Sequence, residues 1–277
     1  MKSLFRCPLC AAPLTRAAHS ALCPAGHCFD RAAAGYFDLL PVQQRHSKQP
    51  GDDKAMVAAR NTFLEHGYYA PLRDALCGLA VSALPPETAE PVLLDSGCGE
   101  GYYTAGLFQA MEQAGRHPRA VGVDLSKFAL RRAAKRLPQG EFAVASVYRL
   151  PLPDGSVDLL TNVFSPLAAE EFARVLRPGG AFLYVVPAPE HLWEMKQVLY
   201  EKPYENPVKR EDYPGFTWVD KREVRYSVDL TDKADRMALF GMTPYAWKTP
   251  KAGIARLEAL DRLTVQIGFD LHLYRKD

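Results

Sequence analysis

No run of eighteen apolar residues occurs in the 277-residue sequence, whereas a helix that spans a bilayer needs about twenty. A helical membrane span is therefore not expected. The opening Met1-Lys2-Ser3-Leu4-Phe5-Arg6-Cys7-Pro8 lacks an uninterrupted apolar core. No secretory signal is expected from it, and the expected location is cytoplasmic. An excess of charge of one sign is missing too: 34 Lys and Arg stand against 32 Asp and Glu, which argues for no particular partner. The distribution is less even. Residues 1–60 carry eight Lys and Arg against four Asp and Glu, a mildly basic unit compatible with a polyanion. Cysteine is sparse beyond the N-terminus. Four of the six cysteines fall within residues 7–28, and without an export signal a disulfide framework does not suit them.

Those four stand as Cys7-Pro8-Leu9-Cys10 and Cys23-Pro24-Ala25-Gly26-His27-Cys28. Two knuckle-like turns separated by twelve residues fit a tetrahedral zinc site. Cys7, Cys10 and Cys23 read as ligands; the fourth is His27 or Cys28, and spacing does not choose between them. A segment of roughly 40 residues buries too little surface to fold alone, so a bound metal would hold it together. Cys77 and Cys98 read as small buried residues.

The stretch around which the remainder is organised is Val92-Leu93-Leu94-Asp95-Ser96-Gly97-Cys98-Gly99-Glu100-Gly101-Tyr102-Tyr103-Thr104. Apolar residues of strand type lead into an acid, then into three glycines at alternate positions, then into a helix start. Open α/β sheets bind nucleotide-like ligands at such a turn. A dinucleotide fingerprint needs a glycine where Tyr102 stands, so no pyrophosphate is called for. Gly97, Gly99 and Gly101 would let backbone approach a compact zwitterionic ligand, with Asp95 placed to position its ammonium group. Ala120-Val121-Gly122-Val123-Asp124 reads as the next strand, and an acid at its end can accept hydrogen bonds from both hydroxyls of a ribose. Together the two stretches look like the S-adenosylmethionine site of a class I methyltransferase.

Downstream the rhythm is strand and helix in turn, with strands expected at 92–95, 120–124, 141–145, 157–162 and 181–186. This implies an α/β fold, a Rossmann-like parallel sheet with helices on both faces. Helices are expected at 54–64, at 69–84 (ending before Pro85-Pro86), at 103–114 and at 127–137. Lys127, Arg131, Arg132, Lys135 and Arg136 give the last of these a basic face, which reads as solvated. Gly35–Pro41 reads as a short strand or turn closing the zinc module, and the polar stretch 43–53 as a linker. Residues 201–221 read as an irregular insert, a lid or binding loop. Strand 224–230 is expected to pair with 263–273. The expected divisions are a zinc-binding module at 1–45, linker and helices at 46–86, and a methyltransferase domain at 87–277.

The motifs Cys7-x2-Cys10-x12-Cys23-x3-His27, Leu39-Leu40-Pro41-Val42-Gln43, Pro50-Gly51-Asp52, Gly67-Tyr68-Tyr69, Gly97 to Tyr103 and Met242-Thr243-Pro244-Tyr245-Ala246-Trp247 resemble those of the bacterial 23S ribosomal RNA guanine-N1 methyltransferases. The likeness covers nearly the whole chain. It implies a small N-terminal zinc-binding module for RNA recognition, an S-adenosylmethionine domain, and a guanine in a 23S rRNA hairpin as substrate. A homodimer is compatible with it. It implies zinc ligands Cys7, Cys10, Cys23 and His27, and cofactor contacts at Tyr69, Gly99, Glu100 and His191. Asn162-Val163-Phe164-Ser165-Pro166 departs from the commonest fourth motif of such folds, where substrate would enter. N1 of guanine lies on the Watson–Crick edge, so the base must be unpaired or flipped. Phe164 and the aromatics of the insert are candidates to stack on it. No residue is assigned as catalytic; Glu100, His191 and water are the candidates to take the N1 proton. The competing expectation is a class I methyltransferase acting on a small molecule, its zinc knuckle purely structural.

Overall fold

The computed structural model describes residues 2–45, 50–208 and 212–277. β1 (Lys2–Arg6), β2 (Pro13–Arg16), β3 (Ser20–Leu22) and β4 (Cys28–Asp30) form an antiparallel sheet in that order. β5 (Phe37–Asp38) closes this module from one side through a bridge between Phe37 and Arg31. It also pairs in parallel with a strand of the main sheet, Phe37 opposite Ala143. The expected closing strand is thus shared between the two sheets.

Two helices follow. Asp53 caps α1 (Lys54–Glu65), its carboxylate accepting the Met56 N–H at 2.8 Å, the bond that an N-cap acid makes with orphan donors. α2 (Ala70–Ala83) has a proline in its first turn and stops ahead of Pro85-Pro86, as the missing N–H and fixed φ of proline require. Then come β6 (Val92–Ser96), α3 (Tyr102–Gln113), β7 (Arg119–Asp124), α4 (Lys127–Arg136), β8 (Glu141–Val144), β9 (Val157–Val163), α5 (Ala169–Val175) and β10 (Leu176–Pro187). The chain ends with α6 (Trp193–Leu199), β11 (Phe216–Leu230), α7 (Lys233–Gly241), the short α8 (Tyr245–Lys248), α9 (Lys251–Glu258) and β12 (Leu263–Lys276).

The main sheet runs β11-β12-β10-β9-β6-β7-β8-β5. Its strands are parallel except β12, which is antiparallel to both neighbours. Every residue of β8 and β9 is buried, the apolar run on both faces that a covered parallel strand needs. Connections go one way from β6 through β7 to β8, and the other way from β9 onward. The order reverses between β6 and β9, and there the carboxyl ends of the strands leave a crevice.

One face of the sheet packs Leu183, Val185, Phe269 and Leu271 against α1, α2, α3, α6 and α7 through Phe63, Leu72, Leu107, Met195 and Leu239. The other packs Val121, Val123, Leu160 and Phe182 against Phe172 of α5 and against Phe5, Leu14 and Cys23 of the N-terminal module. The zinc-module residues therefore complete a core they share with the main sheet. Buried Glu141 fastens the join: its carboxylate accepts the Ser3 hydroxyl at 2.5 Å and faces Arg16 and Arg119 at 3.8 and 3.6 Å.

Two expectations need correction. The irregular insert is shorter than 201–221, because β11 begins at Phe216. It is an edge strand whose residues 217–223 are exposed, so it lacks the apolar period that marks a half-buried strand. β10 starts at Leu176, five residues before its expected start, with Pro178-Gly179-Gly180 forming a register irregularity inside it. Residues 46–49 of the expected linker and 209–211 of the insert lie outside the described residues. Among the described residues, no helix is long and apolar enough to cross a membrane.

Candidate functional site: a four-ligand cluster and a switch-point crevice

The two knuckle turns bring Cys7, Cys10, Cys23 and His27 together, their ligand atoms all within 4.8 Å of one another. Cys7 Sγ lies 3.5 Å and Cys23 Sγ 3.4 Å from His27 Nδ1, and Cys10 Sγ is 3.7 Å from Cys23 Sγ. A tetrahedron with Zn–S near 2.3 Å and Zn–N near 2.0–2.1 Å has edges of roughly 3.5–3.8 Å, so the cluster has the size and donor set of a zinc site. Gly26, at φ +83°, turns the second knuckle so that its N–H bonds the Cys23 carbonyl at 3.0 Å. That turn aims His27 inward, while Cys28, already paired in β4, is exposed and outside the cluster.

At the crevice, Asp124 ends β7. Its Oδ2 accepts the Gly99 N–H at 2.9 Å and its Oδ1 the Ser126 N–H at 2.7 Å. Each carboxylate oxygen keeps a free lone pair for a ribose hydroxyl. Asp95 lies deeper. The Thr104 and Thr161 hydroxyls donate to its two oxygens at 2.5 and 3.2 Å, and burial, outweighing those bonds, pushes its pKa up to about 6. It bears on a ligand through its charge, from behind the loop.

The three glycines differ. All have positive φ, at +80°, +54° and +76°. A Cβ at Gly97 would sit 2.1 Å from Ser165 Oγ and one at Gly101 would sit 3.0 Å from Ala133 of α4; at both, the missing side chain makes room for protein. Of the three, Gly99 has open space there, with Arg60 Nη1 its one neighbour within 4 Å among the described residues, at 3.8 Å. Glu100 Oε1 accepts from Asn61 at 3.0 Å and Arg136 at 3.1 Å, while Oε2 is buried without a partner among the described residues. Burial raises the Glu100 pKa.

On the opposite wall stands a group of rings. Phe164 packs on Phe269 at 5.0 Å between centroids and faces Tyr69 and Tyr103 at 6.5 Å each. The residue is 47% exposed and its φ is +55°, a backbone state that a bulky side chain occupies only under constraint. Tyr69 is buried, its hydroxyl 3.5 Å from His191 Nε2. His191 Nδ1 accepts the Gly268 N–H at 3.2 Å, which puts the imidazole proton on Nε2. Burial, then the charges of Lys196 and Arg225, push its pKa down to about 3. With Nδ1 engaged and Nε2 protonated, His191 has no lone pair to take a proton.

Four buried side-chain atoms without a partner among the described residues lie on the elements that form this crevice: Ser96 Oγ, Glu100 Oε2, Tyr103 hydroxyl and Asn162 Oδ1. Buried polar groups are nearly always satisfied, and orphans call for an explanation such as a missing ligand. The residues present thus suit a polar, nucleoside-like group.

Comparison with known proteins gives the same two parts. Residues 5–48 match the zinc-ribbon family described as "RlmA, N-terminal", and residues 94–184 match "Methyltransferase domain". A protein of Micromonospora griseorubida assigned as a 23S rRNA (guanine-N(1)-)-methyltransferase is 38% identical over 98% of this chain and 97% of its own length. The 23S rRNA (guanine(748)-N(1))-methyltransferase of Streptomyces fradiae is 35% identical over 96% of this chain and 95% of its own. The chain belongs to the 23S rRNA guanine-N1 methyltransferase family.

Within this family member the structure brings together Tyr69, His191 and Phe164 on one wall and Gly99, Glu100 and Asp124 on the other. No local pattern points to Arg60, Asn61 or Phe269, which reach the crevice from α1 and β12. Of the insert aromatics, Phe216 is buried and Tyr213 packs on Tyr184 and Tyr274 at 6.2 and 5.5 Å, so both serve the core. The basic face of α4 is largely engaged at home: Lys127 with Asp38, Arg132 with Asn61, Arg136 with Glu65 and Glu100.

Proposed function

We propose that this protein transfers a methyl group from S-adenosylmethionine to N1 of a guanine in a 23S rRNA hairpin. The observation that carries the reading is one chain holding both the Cys7–Cys10–Cys23–His27 cluster and the Gly99–Asp124 crevice, along nearly the full length of its relatives. The bound sulfonium supplies an activated methyl group whose leaving group departs neutral. The enzyme's task is then mainly alignment.

Asp124 holds the ribose hydroxyls, with its carboxylate fixed by the Gly99 and Ser126 N–H groups. The backbone at Gly99, the loop glycine with open space beside it, lets the cofactor lie against the loop, and Glu100 Oε2, without a partner among the described residues, offers an acceptor beside it. Tyr69 and His191 close the far side. The flipped guanine stacks on Phe164, a contact worth roughly 1–3 kcal/mol for a base on an aromatic ring. With the methyl donor held there, transfer to N1 would leave the N1 proton to be taken by water or by Glu100, whose pKa burial raises toward that of a proton acceptor. Zinc on Cys7, Cys10, Cys23 and His27 keeps the basic N-terminal module folded for RNA recognition.

Incubating the protein with S-adenosylmethionine and protein-free 23S rRNA should give 1-methylguanine on nucleoside analysis. A methyl group on N1 blocks Watson–Crick pairing, so primer extension should stop one nucleotide before it. Methyl found on N7, on the exocyclic amine or on ribose refutes the proposal.

A further inference from the structure

The amino-acid end of the cofactor carries a carboxylate as well as an ammonium group, and every site residue read from the sequence is an acid, a glycine, a tyrosine or a neutral histidine. None of these can neutralise a carboxylate. The structure brings one cation to the place where it is needed. Arg60 lies in α1 with Nη1 3.8 Å from the position of a Cβ on Gly99, over the one loop glycine that faces open space. Its charge acts on Asp124, Glu100 and Tyr103, so the guanidinium looks onto the end of β7, the glycine loop and the first turn of α3 together. The side chain is 25% exposed.

Other arginines beside the loop are committed elsewhere. Arg136 spans Glu65 at 2.5 Å and Glu100 at 3.1 Å, Arg132 donates to Asn61 at 2.5 Å, and Arg73 pairs with Asp74 at 2.9 Å. Among the described residues Arg60 has a single anchor, Asp52, whose Oδ2 is 2.5 Å from Nη1. A guanidinium has five N–H donors in a fixed fork, and one carboxylate uses two at most. The anchor is itself held fast. The Asp52 carbonyl accepts the Ser126 hydroxyl at 2.6 Å. Gly51, at φ +79°, lies so close to Ser126 that a Cβ there would come within 2.6 Å of its backbone nitrogen. Residues 51 and 52 are therefore clamped to the turn that carries Asp124, and they hold the guanidinium in place before any ligand arrives.

We propose that Arg60 binds the carboxylate of the cofactor's amino-acid end, completing a site whose acids hold the ribose and ammonium groups. This rests on the S-adenosylmethionine reading of the crevice. A charge-assisted pair pre-positioned in this way gives affinity with little ordering cost. It also selects for the intact amino acid.

The test uses titration calorimetry on the zinc-loaded full chain with S-adenosylmethionine and with decarboxylated S-adenosylmethionine, which keeps the ammonium and sulfonium and lacks only the carboxylate. The wild type should bind the intact cofactor about ten- to a hundredfold more tightly, the range for a hydrogen bond to a charged group. Arg60→Ala should lose that preference, binding both ligands about equally, and Arg60→Lys should keep part of it. Equal weakening of both ligands by Arg60→Ala would mean that the residue only supports the loop, and would overturn the proposal. So would a wild type that does not discriminate, a result independent of how any variant folds. Failure of the wild type to bind either ligand would overturn the cofactor reading and this inference with it.

Discussion

Asp124 cannot turn away from the crevice, because each of its oxygens is held by a backbone N–H. Asp124→Ala should therefore weaken S-adenosylmethionine binding about tenfold or more through loss of charged hydrogen bonds, measured by calorimetry; unchanged affinity would remove it from the site. His191 and Asp95 make a prediction about pH. The His191 pKa falls to about 3 in the fold from about 6.5 in the unfolded chain. Its contribution is thus present above pH about 6.5 and is lost, at about 1.4 kcal/mol per pH unit, as pH falls toward about 3. Asp95 works in the other direction. Its pKa rises to about 6 from 3.8, so its contribution is full below 3.8 and is lost as pH rises through 6. Between those limits the two slopes oppose each other. Relative to wild type, His191→Gln should therefore gain stability as pH is lowered from 6 to 4, and Asp95→Asn should lose it, in urea unfolding at stepped pH. Parallel curves for variant and wild type would disprove the assignment of either shift.

At the scale of elements, the turn from β6 to α3 and the turn after β9 are pressed together, Ser165 filling the space that Gly97 leaves. Gly97→Ala must meet both the strain of φ +80° and an overlap with Ser165, roughly 2–5 kcal/mol together. Gly115 has a similar φ, +76°, with nothing within 4 Å of a Cβ, so Gly115→Ala should cost only the strain, about 1–2 kcal/mol. Denaturant midpoints should separate the two, and adding Ser165→Gly should recover part of the loss at Gly97 alone. Equal costs would show that the turns do not touch as described. The same elements show what the sequence could tell. Strands β6, β7 and β9 were legible because they are buried on both faces and bounded by turn residues. The first half of β11 was not: an edge strand with exposed side chains carries no period to read.

For the molecule as a whole, the small sheet and the main sheet share one core, through Phe5, Leu14 and Phe37 against Val121, Ala143 and Leu160. Chelating zinc should then destabilise more than the knuckles. The three tryptophans, at 193, 218 and 247, all lie far along the chain in the main-sheet half, so their fluorescence reports on that half alone. Removing zinc should lower the tryptophan-detected melting midpoint together with that seen by circular dichroism, in one transition. A tryptophan transition indifferent to chelation would show that the module and sheet unfold independently.

Some of this was settled by local chemistry. A cluster of thiols at knuckle spacing, alternate glycines behind an acid, and a second acid one strand later are each encoded within a few residues, so the sequence alone pointed to the metal, the cofactor class and the alternation of strands and helices. Spacing left His27 and Cys28 open and only the family resemblance favoured His27; the fold supplies the physical reason, because the Gly26 turn directs His27 inward and β4 takes Cys28. The arrival of Arg60 from α1 and Phe269 from β12 at one crevice was likewise decided only by tertiary packing. These residues lie 209 positions apart, and no local pattern records a contact that exists only once helices and sheet have closed around a common core.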